Sequence, residues 1–501
     1  MTQAWEIEEY LEIQNDQLYI DGVSAVELAN EHGTPLFVFS ERRIRHNIDR
    51  IKRAADLIDC SLKVCYAAKA MSTMGILRAV KNADCDIEVN SGGELWKALE
   101  AGFAADQIIF NGTSKEIWEI EGAIDAGIYA IQVDSPVELA LIEQTAERLG
   151  KRANVSLRLV PEIESATHQG LQTALLTSKF GMMPEEALDS FRRYKDSPHL
   201  NLAGIHLHIG SQNPSAAAYA EAFEILLVNL HEIFNETGIR LSHLNLGGGF
   251  PVNYLAGEAS TDRFADEQRE MLAAEFEPAE AVNHAWQTVK RAAASANASH
   301  LLDDLTLLLE PGRSIIADAG VLLTSVRNIK SRPIGKSSPP YEGGVPAGAS
   351  PSGVDVGGVA EALRRRGGSL TEEMDTWLLT DSGFNLTLSM VTYHWYYHVI
   401  SASRACAEHQ FPYKIAGPLC DGGDVYFDVE GHGRLPDHRL LPENVELGEV
   451  LAMLNCGAYT ISQASQYNGR FLPAILMIDV DGKAELIRKR DRFEDLVTND
   501  L

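Results

Sequence analysis

Residues 61–135 read SLKVCYAAKAMSTMGILRAVKNADCDIEVNSGGELWKALEAGFAADQIIFNGTSKEIWEIEGAIDAGIYAIQVDS. Four short apolar runs (SLKVCYA, CDIEV, QIIF, YAIQV) each close on a polar or turn-forming residue. Between them lie stretches with apolar residues at helical spacing. The alternation continues through NVSLRLVP (154–161), LAGIHLHIGS (202–211), LSHLNLGGGF (241–250) and LTLLLEPGR (305–313), which makes eight strands. Strand–helix repetition of this kind argues for an α/β protein with a parallel sheet covered by helices. With eight strands and no nucleotide fingerprint after the first, a closed (β/α)8 barrel fits better than an open doubly wound sheet.

Past residue 320 the texture changes. ADAGVLLTSVRNI, TWLLTDSGF, YHVISAS, KIAGPLC, VLAMLNCGAY, PAILMIDVDG and AELIRKR are strand-like and long helices are few, so a mainly antiparallel β domain is expected. The opening EEYLEIQNDQLYIDG (8–22) has the same character and is expected to join it. The expected division is therefore a barrel over 36–318 and a β domain built from 1–35 and 319–501. Residues 331–358 are dominated by Pro, Gly and Ser, and an insertion over about 331–366 reads as a surface loop.

Composition bounds the partners. The 501 residues carry 43 Lys and Arg against 71 Asp and Glu, a net charge of −28, which disfavours nucleic acid and anionic membrane. No run of 18 or more apolar residues occurs, so no stretch is expected to span a bilayer. The opening MTQAWEIEEY is acidic where a targeting peptide is basic, so a cytoplasmic location is expected. Six cysteines in so long a chain make neither a disulfide framework nor a zinc spacing, and no metal is expected.

In a (β/α)8 barrel the chemistry sits at the C-terminal strand ends. Those ends offer Lys69, Glu88 with Ser91, Asn111, Arg158, His206, His208 with Ser211, Gly247, Gly248 and Gly249, and Glu310 with Arg313. Lys69 in VCYAAKAM is either a strand-end lysine reaching for water or a Schiff-base lysine whose amine is kept uncharged by desolvation. Three consecutive glycines let main-chain N–H groups wrap an anion, or simply make a tight turn. His208 is a core histidine or a ring that faces a ligand. Glu310 pairs with Arg313, or holds a heteroaromatic N–H while Arg313 clamps an anion. In GPLCDGGD (417–424) Cys420 reads as an exposed, reactive thiol, against a base rate of inert ones. Tyr459 is a core tyrosine or a phosphate donor. An amine, an anion cradle, a buried carboxylate and a flat imidazole together match the contacts of pyridoxal 5′-phosphate.

The order of motifs carries a resemblance. YAAKA, SGGEL, THQGLQTALLTSKFGM (167–182), HLHIGSQ, LGGGF, EPGRS, GPLCDGGD, and GAY followed by YNGRF resemble the fold type III, alanine-racemase-barrel pyridoxal-phosphate decarboxylases. The diaminopimelate decarboxylases are the nearest pattern and the ornithine decarboxylases a related one. The resemblance implies Lys69 as the Schiff-base residue and Glu310 as partner of the pyridine nitrogen, with His208 stacked on the ring. It implies Ser211, Gly247, Gly248, Gly249, Arg313 and Tyr459 at or beside the phosphate, Glu88 behind His208, and Arg158 near the lysine. Cys420 and Asp421 are implied to reach the active site of a partner subunit, hence a homodimer, with Cys420 returning a proton to Cα. The implied substrate is an amino acid, with Arg313, Ser389, Tyr393, Asp421 and Tyr459 expected to contact it.

Two departures bear on that substrate. Ser389 stands where diaminopimelate decarboxylases generally carry an arginine, and Cys420–Asp421–Gly422 where they have Cys-Glu-Ser. The aspartate that ornithine enzymes offer from the 381–395 segment is also absent, with Tyr393 and His394 nearby. The expected function is decarboxylation of meso-diaminopimelate to lysine. The alternatives are the same chemistry on another basic or modified amino acid, or a non-catalytic homologue that binds partners; retention of Lys69 and Cys420 argues against the latter.

Overall fold

The computed structural model describes residues 3–160, 179–258, 260–333 and 374–501. Strands β1 (Leu11–Gln14), β2 (Gln17–Ile20) and β3 (Val23–Ser24) form a small antiparallel sheet. A fourth strand, β4 (Leu36–Ser40), follows. The barrel is made by β5 (Ser61–Ala67), β6 (Asp86–Val89), β7 (Ile108–Phe110), β8 (Ala130–Val133), β9 (Ala153–Arg158), β10 (Leu200–His206), β11 (His243–Asn245) and β12 (Thr306–Leu309). All neighbours are parallel and the ring closes between β12 and β5, with Leu307 opposite Leu62. Every one of these strands overlaps a run singled out by hydrophobic patterning, β9 and β10 starting one and two residues before theirs.

Local chemistry places the helices that follow. Ser91 caps the helix Gly92–Glu100 by accepting the Glu94 N–H at 3.2 Å. Ser135 caps Pro136–Leu149 through the Glu138 N–H, Pro136 sits in its first turn, and Gly150 ends it in the left-handed conformation.

The second sheet is built on β13 (Gly320–Pro333), with β14 (Met374–Thr380), β15 (Val399–Ser401), β16 (Phe411–Ala416), β17 (Arg439–Leu441), β18 (Val450–Met453), β19 (Ala474–Ile478) and β20 (Ala484–Arg488). It runs β17-β16-β14-β13-β4-β19-β20, with β18 bridging β13 and β15. Most pairs are antiparallel; β14·β16 and β4·β19 are parallel. The sequence assigned residues 36–40 to the barrel, and here the structure differs: β4 pairs with β13 and β19. Its LFVFS is buried on both faces, Phe37 and Phe39 packing towards the barrel core and Leu36 and Val38 towards the core under the N-terminal sheet. A strand buried on both sides shows no alternation that would reveal which sheet it joins. The opening residues form their own small sheet rather than extending the large one, although Leu18 N–H donates to Ala402 O. The motif at 167–182 lies mostly, and the insertion after 333 wholly, outside the described residues. Among the described residues no helix is long and apolar enough to cross a membrane.

Candidate active site

Six barrel strands deliver polar side chains to one buried cluster. Lys69 follows β5 on a short 3-10 turn, and its Nζ lies 3.4 Å from both carboxylate oxygens of Glu88 on β6. Asn111, just past β7, donates from Nδ2 to Glu88 Oε1 at 2.9 Å and to Glu310 Oε1 at 2.8 Å. Asn245 at the end of β11 donates to the same Glu310 oxygen at 2.7 Å. His206 at the end of β10 brings Nε2 to 3.6 Å from Glu310 Oε2. Glu88 is fully buried and Glu310 nearly so, while the Lys69 side chain keeps 39% of its surface accessible. The amine is thus the accessible end of the network, and the carboxylates are its floor.

Electrostatics corrects one expectation. Desolvation was expected to keep the Lys69 amine uncharged. Burial does pull its pKa down, but the negative charge of Glu88, with Tyr459 and Glu310 behind it, outweighs that and raises it. Burial, and then Glu88, push the Glu310 carboxyl up to about 7. His208 is driven well below the ordinary histidine range by burial and by the cations Lys69 and Arg158, so its imidazole is neutral. Its Nδ1 accepts the Gly248 N–H at 3.2 Å, which places the ring proton on Nε2. Arg158 is buried, with its guanidinium 4.3 Å from the Phe180 ring.

The glycine triplet has more than one duty. Gly247 N–H donates to Asn245 Oδ1 at 2.8 Å and Gly248 N–H to His208, so a phosphate cradle here would draw on Gly249 and on side chains beyond it. A Cβ on Gly248 would stand 2.2 Å from the Glu310 carbonyl oxygen, and one on Gly249 2.3 Å from that of Gly210. Only glycine allows these strand ends to approach so closely. Beside the triplet, Arg313 Nε donates to Ser211 Oγ at 3.2 Å and Nη1 to the Tyr254 hydroxyl at 3.0 Å. The guanidinium lies 4.2 Å from the Trp395 ring and 4.9 Å from that of Tyr459. Tyr459 is seated by its N–H on Ala70 O, one residue from Lys69, and its carbonyl accepts from Ser389 Oγ at 3.4 Å. Ser389 is buried and Tyr393 half-buried.

Cys420 and Asp421 stand apart. They are exposed on a β-domain turn whose hydrogen bonds stay within that domain: Cys420 N–H to Asn468 Oδ1, Gly423 N–H to Asp421 Oδ1, and Tyr467 OH to Asp421 Oδ2. Ser91 is occupied as a helix cap. Asn245 was not singled out in the sequence, although a polar residue between Leu244 and Leu246 was the available signal; Asn111 was noted without a role. Tyr254 and Trp395 carried no signal, since burial rather than pattern brings them to Arg313.

This site fits pyridoxal phosphate. It presents one accessible amine, a deep carboxylate raised towards neutrality that can face a ring nitrogen, a neutral imidazole, and a cation with a hydroxyl for an anionic group. His206 Nδ1 and Nε2 are buried without a hydrogen-bond partner among the described residues, a polar wall of the kind a bound heteroaromatic ring needs. An eight-stranded parallel barrel with a lysine at its mouth and a second β domain defines the lysine-anchored, fold type III class of pyridoxal enzymes. Comparison narrows this further. Residues 42–317 match the model of the pyridoxal-dependent decarboxylase, pyridoxal binding domain. The chain is 32% identical to the diaminopimelate decarboxylase of Methanocaldococcus jannaschii over 98% of its own length and 96% of the relative's. It is 30% identical to that of Bacillus subtilis, covering 97% and 96%. The crystal structure of the M. jannaschii enzyme superposes with a TM-score of 0.77, 30% identity and 98% coverage of both chains. The Helicobacter pylori diaminopimelate decarboxylase complexed with L-lysine gives 0.72 at 28% identity, covering 94% and 98%. The protein belongs to the pyridoxal-dependent decarboxylase family, and pyridoxal phosphate is its cofactor.

Proposed function

We propose that this protein is a carboxy-lyase of the diaminopimelate decarboxylase type, converting meso-diaminopimelate to lysine. The observation that carries the reading is the Lys69–Glu88–Asn111–Glu310 chain at the barrel mouth, in a sequence that matches diaminopimelate decarboxylases along nearly its whole length. Bound pyridoxal phosphate supplies an electron sink for the pair left behind when the carboxylate departs. Lys69 holds the cofactor covalently, and Glu88, 3.4 Å from the amine, is placed to hold the proton that the lysine must give up. Glu310 holds a proton at the ring nitrogen. The neutral imidazole of His208 would offer a flat, uncharged surface to the cofactor ring. Arg158 stays near the lysine as a charge that favours the ionised carboxylates. Ser211, Gly249 and Tyr459 would hold the phosphate end over the turn shaped by Gly247 and Gly248, and Arg313, boxed by aromatic rings, would orient the substrate with Tyr393 and Tyr459.

Cys420 is the acid that returns a proton to Cα, and Asp421 lies beside it. The exposed turn that carries them, with no hydrogen bond to the barrel cluster among the described residues, supports a homodimer in which each turn completes the partner's site. All six cysteines are free, in keeping with a reducing, cytoplasmic setting. A second reading, the same chemistry on another basic or modified amino acid, is favoured by Ser389: buried and bonded to Tyr459 O, it offers the substrate's far end no charge. The test is to purify the protein, record its visible cofactor band, and follow carbon dioxide release across L-, D- and meso-diamino acids. Release from meso-diaminopimelate first supports the primary reading; release from another member first replaces it with the second. A protein that takes up no cofactor leaves only a binding role. Cys420→Ala is expected to keep the cofactor and lose clean decarboxylation.

A further inference from the structure

We infer that Asn111 and Asn245 are positioning residues for the cofactor's ring nitrogen: their side-chain amides both bond Oε1 of Glu310, so that Oε2 is the oxygen left to meet the ring. The inference rests on the pyridoxal phosphate reading above. The geometry is over-determined at Asn245, where Oδ1 accepts the Gly247 N–H at 2.8 Å, so Nδ2 is the atom turned to Glu310, 2.7 Å away. The glycine turn therefore orients the amide, and the amide orients the carboxylate. Asn111 splits its two N–H groups between Glu310 Oε1 at 2.8 Å and Glu88 Oε1 at 2.9 Å. One amide thereby ties the carboxylate at the lysine end to the carboxylate at the ring-nitrogen end. Two donors on a single oxygen fix the carboxylate plane and share out its charge, while Oε2 has His206 Nε2 at 3.6 Å, beyond hydrogen-bond distance.

The asparagines also add neutral donors beside the Lys69 charge. Burial and the negative charge of Glu88 work against ionisation of Glu310; the Lys69 charge and then both amides work for it. A carboxylate that is to form an ion pair with a protonated ring nitrogen needs neutral donors that leave the opposite side free. Asparagine meets that requirement, whereas arginine or lysine would neutralise the carboxylate outright.

The test uses apoprotein and two ligands: pyridoxal phosphate and its 1-deaza analogue, in which a carbon replaces the ring nitrogen. The ratio of the two dissociation constants reports the Glu310–nitrogen contact alone. In Asn111→Ala and Asn245→Ala the preference for pyridoxal phosphate over the analogue is expected to shrink about tenfold, the size of one hydrogen bond to a charged group. Affinity for the analogue itself should change little. If both affinities fall together and the ratio holds, the asparagines only pack the barrel, and the inference is overturned. Should the alanine variants fail to fold, Asn111→Ser and Asn245→Ser, which keep a small hydroxyl, are read by the same ratio. Wild-type protein that binds neither compound would overturn the cofactor reading itself, an outcome the ratio separates from failure of the clamp.

Discussion

Glu310 and Glu258 are both buried carboxylates on loops that leave barrel strands, yet one is pushed up to about 7 and the other held down to about 2. Glu310 faces a second carboxylate, and its side-chain hydrogen bonds come from neutral amides beside a neutral imidazole. The nearby Lys69 charge does not outweigh burial and Glu88. Glu258 sits at the seam between barrel and β domain. It is bonded by His398 Nδ1 at 2.6 Å, by Arg263 and by the Tyr396 hydroxyl, which together outweigh the effect of burial. Arg263 also donates to His438 O, and Arg439 lies 4.4 Å from the Tyr396 ring, so the seam is held by a network. The contrast teaches what each site is for. A carboxylate in a fold-holding seam is given all the positive partners it can use; one in the active site is left short, so that a ligand can complete it.

The largest expected effect breaks the active-site side. Glu310→Gln should lower kcat/KM for decarboxylation at least a hundredfold, measured by carbon dioxide release; turnover within tenfold of wild type would remove Glu310 from the chemistry. The same variant tests the sign of the coupling. Between its ordinary value of 4.5 and about 7, folded apoprotein keeps a proton on Glu310 that the unfolded chain has released. Stability present below 4.5 is therefore lost as pH rises through 7, and urea titrations of Glu310→Gln should show that fall flattened.

Glu258→Gln breaks the other side. It should cost about 3 kcal/mol at pH 7 by urea denaturation, with kcat per folded molecule unchanged. Here the folded chain releases its proton first, so wild-type stability is present above 4.5 and lost as pH falls towards 2; the variant should lack that slope. A loss of kcat without loss of stability would make the seam catalytic and dissolve the contrast. Gly248→Ala should cost about 2 kcal/mol by thermal denaturation and weaken cofactor binding, because its Cβ has 2.2 Å to the Glu310 carbonyl. Ser91→Ala is the mildest, about 1 kcal/mol for a lost helix cap with normal turnover per folded molecule. A tenfold activity loss there would return Ser91 to the site.

Legibility followed the range of the forces involved. The eight barrel strands were readable because parallel strands bury both faces and print as short apolar runs, and the polar residues ending those runs were readable because the barrel rule names strand ends as the site. Lys69, Glu88, His208, Glu310 and Arg313 were picked out that way; the structure links Lys69, Glu88 and Glu310 through Asn111, sets His208 on the Gly248 N–H and bonds Arg313 to Ser211. The assignment of β4 failed for the same reason the barrel strands succeeded: Leu36–Ser40 is apolar on both faces, and pairing partners more than 280 residues away leave no local trace.

By itself, then, the sequence determined the strand–helix repeat, the chemistry at the strand ends and the family resemblance, all of which are written in local pattern and residue type. Only the tertiary structure decided which groups share a proton or an oxygen. The raised amine of Lys69, the neutral His208, the joint hold of Asn111 and Asn245 on one oxygen of Glu310, and the three rings around Arg313 depend on distances between strands. Electrostatic and hydrogen-bond energies change steeply over such distances, and no spacing along the chain encodes them.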